Sequence, residues 1–365
     1  MKAIIKDHWD PEEWNKWVAS SPSGTIFQTT HWAAVMGERN KWAPRYLVVR
    51  DHESKQPSAL LLFFKKKFLD VPLSGANARG LTRLVRELFP SYTWLYGPLF
   101  LGEEDQTAAK CLLSALDKKA QEDGIHFVDK VRLPCHDMGS EASLWAPSFL
   151  EAGYRIEREE ATLLLDLRCG EEDLMSRYRQ SARKAIRRAR DEGIQIKEIS
   201  TLWELSQYYA FFKRASRRKD IEGFRVPPWQ VFRSLWKHLQ PDACLRFFAA
   251  HRGNETLCGL GIWKFNGIWT EFFSVQSEKS FREKLYGNDL LKDEILRTAV
   301  REGARVYDLA GISPDPATPK ESGIRRFKEK WGGEKVTIRM FGKTCRYSLL
   351  GRTAHLVRKL KGENR

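Results

Sequence analysis

What this chain lacks narrows its chemistry. Its six cysteines, at 111, 135, 169, 244, 258 and 345, never come in the short paired spacings that build zinc sites or disulfide scaffolds, so reduced and mostly buried thiols are expected. The eight histidines are equally scattered, and the one adjacent pair, Cys135 and His136, has no further ligand nearby; no metal site is predicted. No segment is apolar for long enough to span a bilayer. The opening MKAIIKDHWD has only Ala3 to Ile5 as an apolar run, far short of a signal peptide, and a cytoplasmic location is expected. Acidic residues are also in deficit: 47 Asp and Glu against 62 Lys and Arg leave a formal +15. That balance favours polyanions, phosphorylated small molecules or an anionic membrane surface as partners.

What is present is enough for a large core. With 365 residues and 42% hydrophobic content, length predicts two domains. A weak internal repeat organises them. In the first half Trp94–Leu101 reads as a strand, Thr107–Ala120 as a helix ended by Gly124, and Ile125–Val131 as a strand containing Asp129. In the second half Trp269–Val275 reads as a strand and Leu290–Val300 as a helix ended by Gly303, followed by a strand containing Asp308. Both aspartates stand five residues beyond their glycine. LRFFAAHR, TLCGLGIWKF and IWTEFFSV read as three consecutive strands joined at Gly253-Asn254 and Asn266-Gly267. Helices before an antiparallel meander, then a helix and a returning strand, resemble the N-acetyltransferase-like (GNAT) α+β plan more than a doubly wound sheet. The fold prediction is therefore α+β, two tandem GNAT-like domains over residues 1–165 and 166–335, with the basic segment 336–365 packing back on the body.

Three stretches carry candidate chemistry. After the strand of Asp308, Pro314, Pro316 and Pro319 read as a flexible connection. Arg325, Arg326, Lys328 and Lys330 follow around Phe327 as a basic loop closed by Gly332-Gly333, suited to receiving negative charge. Tyr286, with Gly287 and Asn288, precedes the Leu290 helix, whose free N–H groups suit a phosphate or carboxylate; Asn288 is alternatively a simple cap. The segment Arg177–Arg190 holds seven basic residues in fourteen and no acid before Asp191, with Tyr178, Ala182, Ala185 and Ala189 as a thin apolar stripe. Such a helix either presents a solvated face or meets an RNA or diphosphate, with Arg183 and Arg187 as the contacts. The terminal GRTAHLVRKLKGENR is read either as a frayed basic tail or as a peripheral contact with an anionic membrane.

GTIFQTTHWAAV, WLYGPLF, SARKAIRRARDEGI, YGNDLL, GARVYDLAGI and GIRRFKEKWGGE, in this order along nearly the whole chain, resemble the FemABX family of non-ribosomal aminoacyltransferases. The resemblance implies aminoacyl-tRNA as co-substrate with no other cofactor, an amine acceptor on a UDP-linked or lipid-linked muropeptide, and no metal. It implies a FemX-type chain without the coiled-coil arm, because only RASRRKDIEGFRVPPWQ separates the helical stretches after Tyr208. Lys328, beside Phe327, matches the position to which the family assigns electrostatic stabilisation of the tetrahedral oxyanion. Asp308, in the strand beside it, is read either as orienting a lysine or the amine or as a strand-end carboxylate capping local backbone. Arg225 lines up with a phosphate-holding region, in competition with Arg217, Arg218 and Lys219. One departure stands out: where family members of the UDP-muropeptide type carry a lysine four residues after the early tryptophan, Trp32 is followed by Met36; either Arg39 or Lys41 replaces it, or the acceptor is not the usual UDP-linked muropeptide. In acyl-CoA-using relatives of this fold a glycine-rich loop cradles pyrophosphate before the comparable helix. Here Leu285 stands at its first glycine and is read as an obstruction. An acyl-CoA-dependent N-acyltransferase acting on an amino sugar is the alternative, and a binding protein without chemistry the third reading.

Overall fold

The computed structural model describes residues 1–51, 56–67, 89–138, 143–216 and 226–345. In chain order it runs β1 (Lys2–Lys6), α1 (Pro11–Ser20), a 3-10 turn (Ile26–Gln28), α2 (Thr30–Asn40), β2 (Ala43–Arg50), β3 (Ala59–Lys67), β4 (Pro90–Thr93), β5 (Leu99–Phe100), α3 (Gln106–Glu122), β6 (Phe127–Arg132), α4 (Trp145–Glu151) and β7 (Arg155–Asp166). There follow α5 (Glu171–Arg177), α6 (Gln180–Asp191), β8 (Gln195–Glu198), α7 (Leu202–Ser216), α8 (Trp229–Leu239), β9 (Leu245–Arg252), β10 (Glu255–Phe265), β11 (Ile268–Gln276) and α9 (Glu278–Arg282). The chain closes with α10 (Gly287–Arg301), β12 (Val306–Ile312), α11 (Pro319–Glu329) and β13 (Glu334–Thr344). Two compact units result, Met1–Glu159 with Ile338–Arg365, and Glu160–Thr337.

In the first unit the strand order is β1-β2-β3-β4-β6-β13, with β5 beside β3. Its neighbours are antiparallel except β4 and β6, which run parallel and therefore need a crossover. Helix α3 supplies it. Asp105 caps its start by accepting from the Thr107 N–H at 2.7 Å, and Gly124 (φ 68°) ends it in the left-handed conformation that a side chain resists. Between those stops Ala108, Ala109, Leu112, Leu113, Leu116 and Ala120 fall at helical spacing and are buried against Leu47, Phe63, Tyr92 and Val128 of the sheet. The end of β13 lies on β6, Met340 opposite Arg132 and Thr344 opposite Phe127. The basic terminal stretch from 346 onward lies outside the described residues.

In the second unit the order is β7-β12-β11-β10-β9-β8. The meander β9-β10-β11 turns where the Gly-Asn and Asn-Gly pairs predict: Arg252 faces Glu255, and Phe265 faces Ile268 across Asn266 (φ 50°) and Gly267 (φ 69°). Strand β12 again pairs parallel, with β11, and α10 is the crossover. Neighbouring Phe247 and Phe248 point to opposite faces of β9. Phe248 joins a core with Ala182, Ile186, Ala189, Leu291, Ile295 and Trp269, so α6 and α10 cover that side. Phe247 stacks with Phe232 and Tyr208 of α8 and α7 on the other. Packing on that second face is tight. A Cβ on Gly259 would come within 2.3 Å of the Tyr208 ring, so only glycine lets α7 approach. Helices against both faces of a mixed sheet, repeated in tandem, make the α+β GNAT-like architecture that the sequence predicts.

Candidate functional site

The repeat becomes geometric at the point where each pair of parallel strands parts. Strands β11 and β12 are paired only over Ile268–Thr270 with Val306–Asp308, although β11 continues to Gln276 and β12 to Ile312. In the first unit β4 and β6 pair at Ser91–Tyr92 with Phe127–Val128, and Thr93 Oγ1 then donates to the Asp129 carbonyl at 2.8 Å. Three residues past each threonine the backbone turns left-handed, at Tyr96 (φ 51°) and Phe273 (φ 47°). At Phe273 it coincides with a register shift between β10 and β11, a bulge that redirects the strand, while Tyr96 lies beyond the end of β4. The side chains at the parting points differ. Immediately after the threonine stands Trp94 in one unit and Glu271 in the other; sixteen residues before the aspartate stands Leu113 in one and Lys292 in the other. Trp94 and Leu113 are core residues, whereas Glu271 and Lys292 form an ion pair with both side chains almost fully buried. Desolvating two charges is costly, so apolar residues at this place are the cheaper solution. The first unit adopts it at these two positions and keeps its buried ion pair on the aspartate, Lys66 with Asp129 at 3.2 Å; the second places charge at the two positions themselves. Burial, with Lys328 and Lys330 close by, pushes the Lys292 ammonium well below its usual range.

Beside this pair lies Lys328. The sequence reading of a basic loop is corrected here, for residues 319–329 form helix α11. Thr318 and Glu321 make a complete capping box, with Pro319 at the first helical position, so the proline-rich segment starts a helix rather than continuing a loop. The four cations are thereby separated. Arg325 pairs with Glu329 at 2.7 Å and donates to the Pro314 carbonyl at 3.1 Å, and Arg326 is exposed. Lys330 pairs with the buried Asp289 and lies 4.1 Å from the Phe327 ring centre. Lys328 instead folds back on β12, donating to the carbonyls of Ala310 at 3.1 Å and Gly311 at 2.8 Å. Desolvation lowers its ammonium to about 8, with the Asp308 carboxylate opposing the shift. Asp308 is itself buried, accepting from the Thr162 hydroxyl of β7 and from the Ala310 N–H at 2.8 Å. Phe327 meets Trp331 edge-on at 6.1 Å, which seats this turn of α11 on the core.

The remaining candidates separate. Tyr286 (φ 54°) is the residue before α10, and the Arg188 guanidinium lies over its ring at 5.9 Å. Asn288 does not cap the helix; its side-chain amide donates to Gln276 at 2.9 Å. The first turn of α10 already holds a carboxylate, Asp289, whose pKa is raised by burial against the pull of Lys330. Leu285 is turned into the core beside Leu290, so the steric objection to a diphosphate at this loop, drawn from sequence, does not hold. In α6 the inward row is Ala182, Ala185, Ile186 and Ala189. Arg183 is committed to its own chain, donating to the Tyr178 carbonyl at 2.7 Å and, more weakly, to those of Met175 and Ser176 at the end of α5. Arg190 pairs with the buried Asp293 at 2.9 Å, while Lys184 and Arg187 are exposed. Arg225, with Arg217, Arg218 and Lys219, lies outside the described residues. In the first unit Met36 is fully buried in the core, Arg39 is partly buried with an unpaired Nε, and Lys41 is an exposed left-handed cap of α2.

Sequence reasoning missed Thr162, Glu271, Lys292 and Asp289. Two signals were available. Glu271 is the one charge in the strand IWTEFFSV, and Asp289, Lys292 and Asp293 interrupt the apolar positions of the Leu290 helix. Among the described residues there is no group of three or more His, Cys, Asp and Glu that could hold a metal ion, and no helix is long and apolar enough to cross a membrane.

Residues 176–328 match the acetyltransferase (GNAT) domain family. No curated protein matches the chain. Among solved structures it is similar to FemX, with a TM-score of 0.73 at 15% identity over 93% of this chain and 97% of that one. It is similar to L-PGS from Bacillus licheniformis, with a TM-score of 0.55 at 14% identity over 96% of each chain. A tandem GNAT protein from the clavulanic acid biosynthesis pathway aligns with a TM-score of 0.55 at 12% identity over 95% of this chain and 99% of its own. With its parted parallel strands occurring twice, this chain therefore has a FemABX-like fold, two GNAT-like modules in tandem of which residues 176–328 carry the GNAT signature.

Proposed function

We propose that this chain is an aminoacyltransferase that moves an amino acid from aminoacyl-tRNA to an amine of a UDP-linked or lipid-linked muropeptide. The observation that carries the reading is Lys328, a desolvated cation fixed where β11 and β12 part, in the module with the GNAT signature and in a chain with the fold of FemX. Acyl transfer to an amine needs an ester carbonyl held close and preplaced positive charge or donors for the oxyanion. In this site Lys328 supplies the charge, and Phe327 and Asp308 fix the helix and the strand end that present it. The exposed Lys184 and Arg187 of α6 offer phosphate contacts to the donor, and Tyr286 with Arg188 offers a ring and a guanidinium beside them. Arg225, Arg39 and Lys41 remain proposed acceptor contacts.

A second reading is favoured by two observations, the GNAT signature itself and the inward Leu285, which leaves the loop before α10 open to a diphosphate. It is an N-acyltransferase taking its acyl group from a CoA thioester. Incubation of the protein with charged tRNA pools, acyl-CoA and cell-wall precursors, followed by mass analysis of the acceptor, separates the two. A mass gain of one amino-acid residue supports the first reading; an acyl increment with thiol release replaces it with the second.

A further inference from the structure

We propose that Lys328 is the proton shuttle of the acyl transfer, accepting a proton from the attacking amine and returning it to the leaving oxygen, and that Thr162 and Asp308 are positioning residues that aim it. The inference rests on the acyl-transfer reading above but assigns a role beyond fixed charge.

The geometry supplies the reason. A neutral primary amine has two N–H bonds and one lone pair. Both donor directions of Lys328 are taken by the carbonyls of Ala310 and Gly311, at 3.1 Å and 2.8 Å. Tetrahedral nitrogen then has one remaining direction, and the lone pair occupies it; in the ammonium the same direction becomes a third N–H. One position thus accepts a proton in one state and donates it in the other. The two carbonyls are held by a strained backbone. Ala310 is left-handed (φ 59°), a conformation costly for a residue with a Cβ, and Asp308 fixes it by accepting the Ala310 N–H at 2.8 Å while Thr162 donates to the same carboxylate oxygen. The hydroxyl of β7 thereby locks a carboxylate of β12, which locks the kink whose carbonyl aims the lysine of α11.

Charges around Lys328 also suit the role. Asp308 faces it from β12; Lys292 of α10 lies near it, paired with Glu271 of β11, and Lys330 is paired with Asp289 of α10. Burial brings the group to about 8, where both protonation states are populated near neutral pH. In the step itself the amine nitrogen of the acceptor bonds to the carbonyl carbon of an acyl ester, and the carbonyl π pair moves to oxygen. The proton on the new ammonium passes to neutral Lys328. As the oxyanion collapses and the C–O bond to the ester oxygen breaks, Lys328 returns the proton to that oxygen. The products are an amide and an alcohol, or a thiol for a thioester, and Lys328 is regenerated.

Two measurements test this. Competitive labelling of the intact protein with fluorodinitrobenzene, quantified lysine by lysine by mass spectrometry, should place the Lys328 midpoint near 8. An unstructured lysine peptide labelled in the same mixture serves as the reference. Titration of Lys328 together with that peptide overturns the proposal. Asp308→Asn should lower that midpoint, and with it the acidic limb of kcat/KM; a limb that stays in place removes Asp308 from the aiming role. Thr162→Ser should behave as the wild type while Thr162→Val loses kcat, and equal activity of the two removes Thr162. For transfer itself, Lys328→Arg keeps a permanent cation but cannot accept a proton. A shuttle predicts that Lys328→Arg and Lys328→Met both lose about 10²- to 10⁴-fold, and recovery by Arg alone overturns it in favour of fixed charge. Wild-type inactivity toward ester and thioester donors alike would instead sink the acyl-transfer reading, whatever Lys328 titrates at.

Discussion

The buried pair of Glu271 and Lys292 offers the sharpest physical test, because the first unit shows the same position solved with apolar side chains. Both side chains of the pair are below one-tenth exposure. Two unit charges about 4 Å apart at an effective dielectric constant of about 20 attract by about 4 kcal/mol, which sets the scale. Removing one partner leaves the other charge desolvated and unpaired, so Lys292→Met or Glu271→Leu alone should cost about 3–5 kcal/mol. For a domain the size of the second unit, each kcal/mol shifts the thermal midpoint by about 2–4 °C, which predicts a fall on the order of 6–20 °C. The double variant restores an apolar pair like Trp94 and Leu113 and should be neutral or about 1–4 kcal/mol more stable than the wild type. Thermal unfolding at neutral pH of the wild type, both single variants and the double variant completes a mutant cycle. Additive losses, with the double variant as weak as the sum of the singles, would show that the two charges do not depend on each other and would refute the reasoning.

Lys328 has a folded-state value near 8, below its ordinary 10.5, so the folded protein binds fewer protons than the unfolded chain between those limits and gains stability as pH rises through the window. Lys328→Met, which has no proton to lose, should therefore lose ground to the wild type as pH rises from 8 towards 10, on top of a pH-independent cost for its two lost carbonyl contacts; differential scanning calorimetry across that range checks the sign. On α6, Arg183→Ala should lower stability by about 1 kcal/mol through the lost carbonyl contacts. Arg187→Ala should leave stability within about 0.5 kcal/mol and reduce the salt slope of RNA or polyphosphate binding by about one unit. Urea unfolding and a salt titration of binding distinguish the two.

Local rules made much of the fold legible. The Asn-Gly turn fixed one hairpin of the meander, Gly124 and Gly303 marked matching helix ends, and the shared spacing of Asp129 and Asp308 exposed the repeat, because turns, caps and crossover helices are set by neighbours in sequence. The misreading of 319–329 came from weighting three prolines over the Thr318–Glu321 capping box, itself a local signal. The inward turn of Leu285 and the commitment of Arg183 to the end of α5 were not legible, since a side chain's direction depends on what packs against it.

For Lys328 the sequence settled that a lysine follows Phe327 in a basic segment near the strand of Asp308. Only the tertiary structure brought Thr162 to Asp308 across 146 residues and set Glu271 against Lys292. It also folded the lysine back onto two strand-end carbonyls in a buried place, where desolvation lowers its proton affinity. Desolvation is the physical reason: it belongs to the environment that distant segments build around a group, and no local pattern of residue types encodes it.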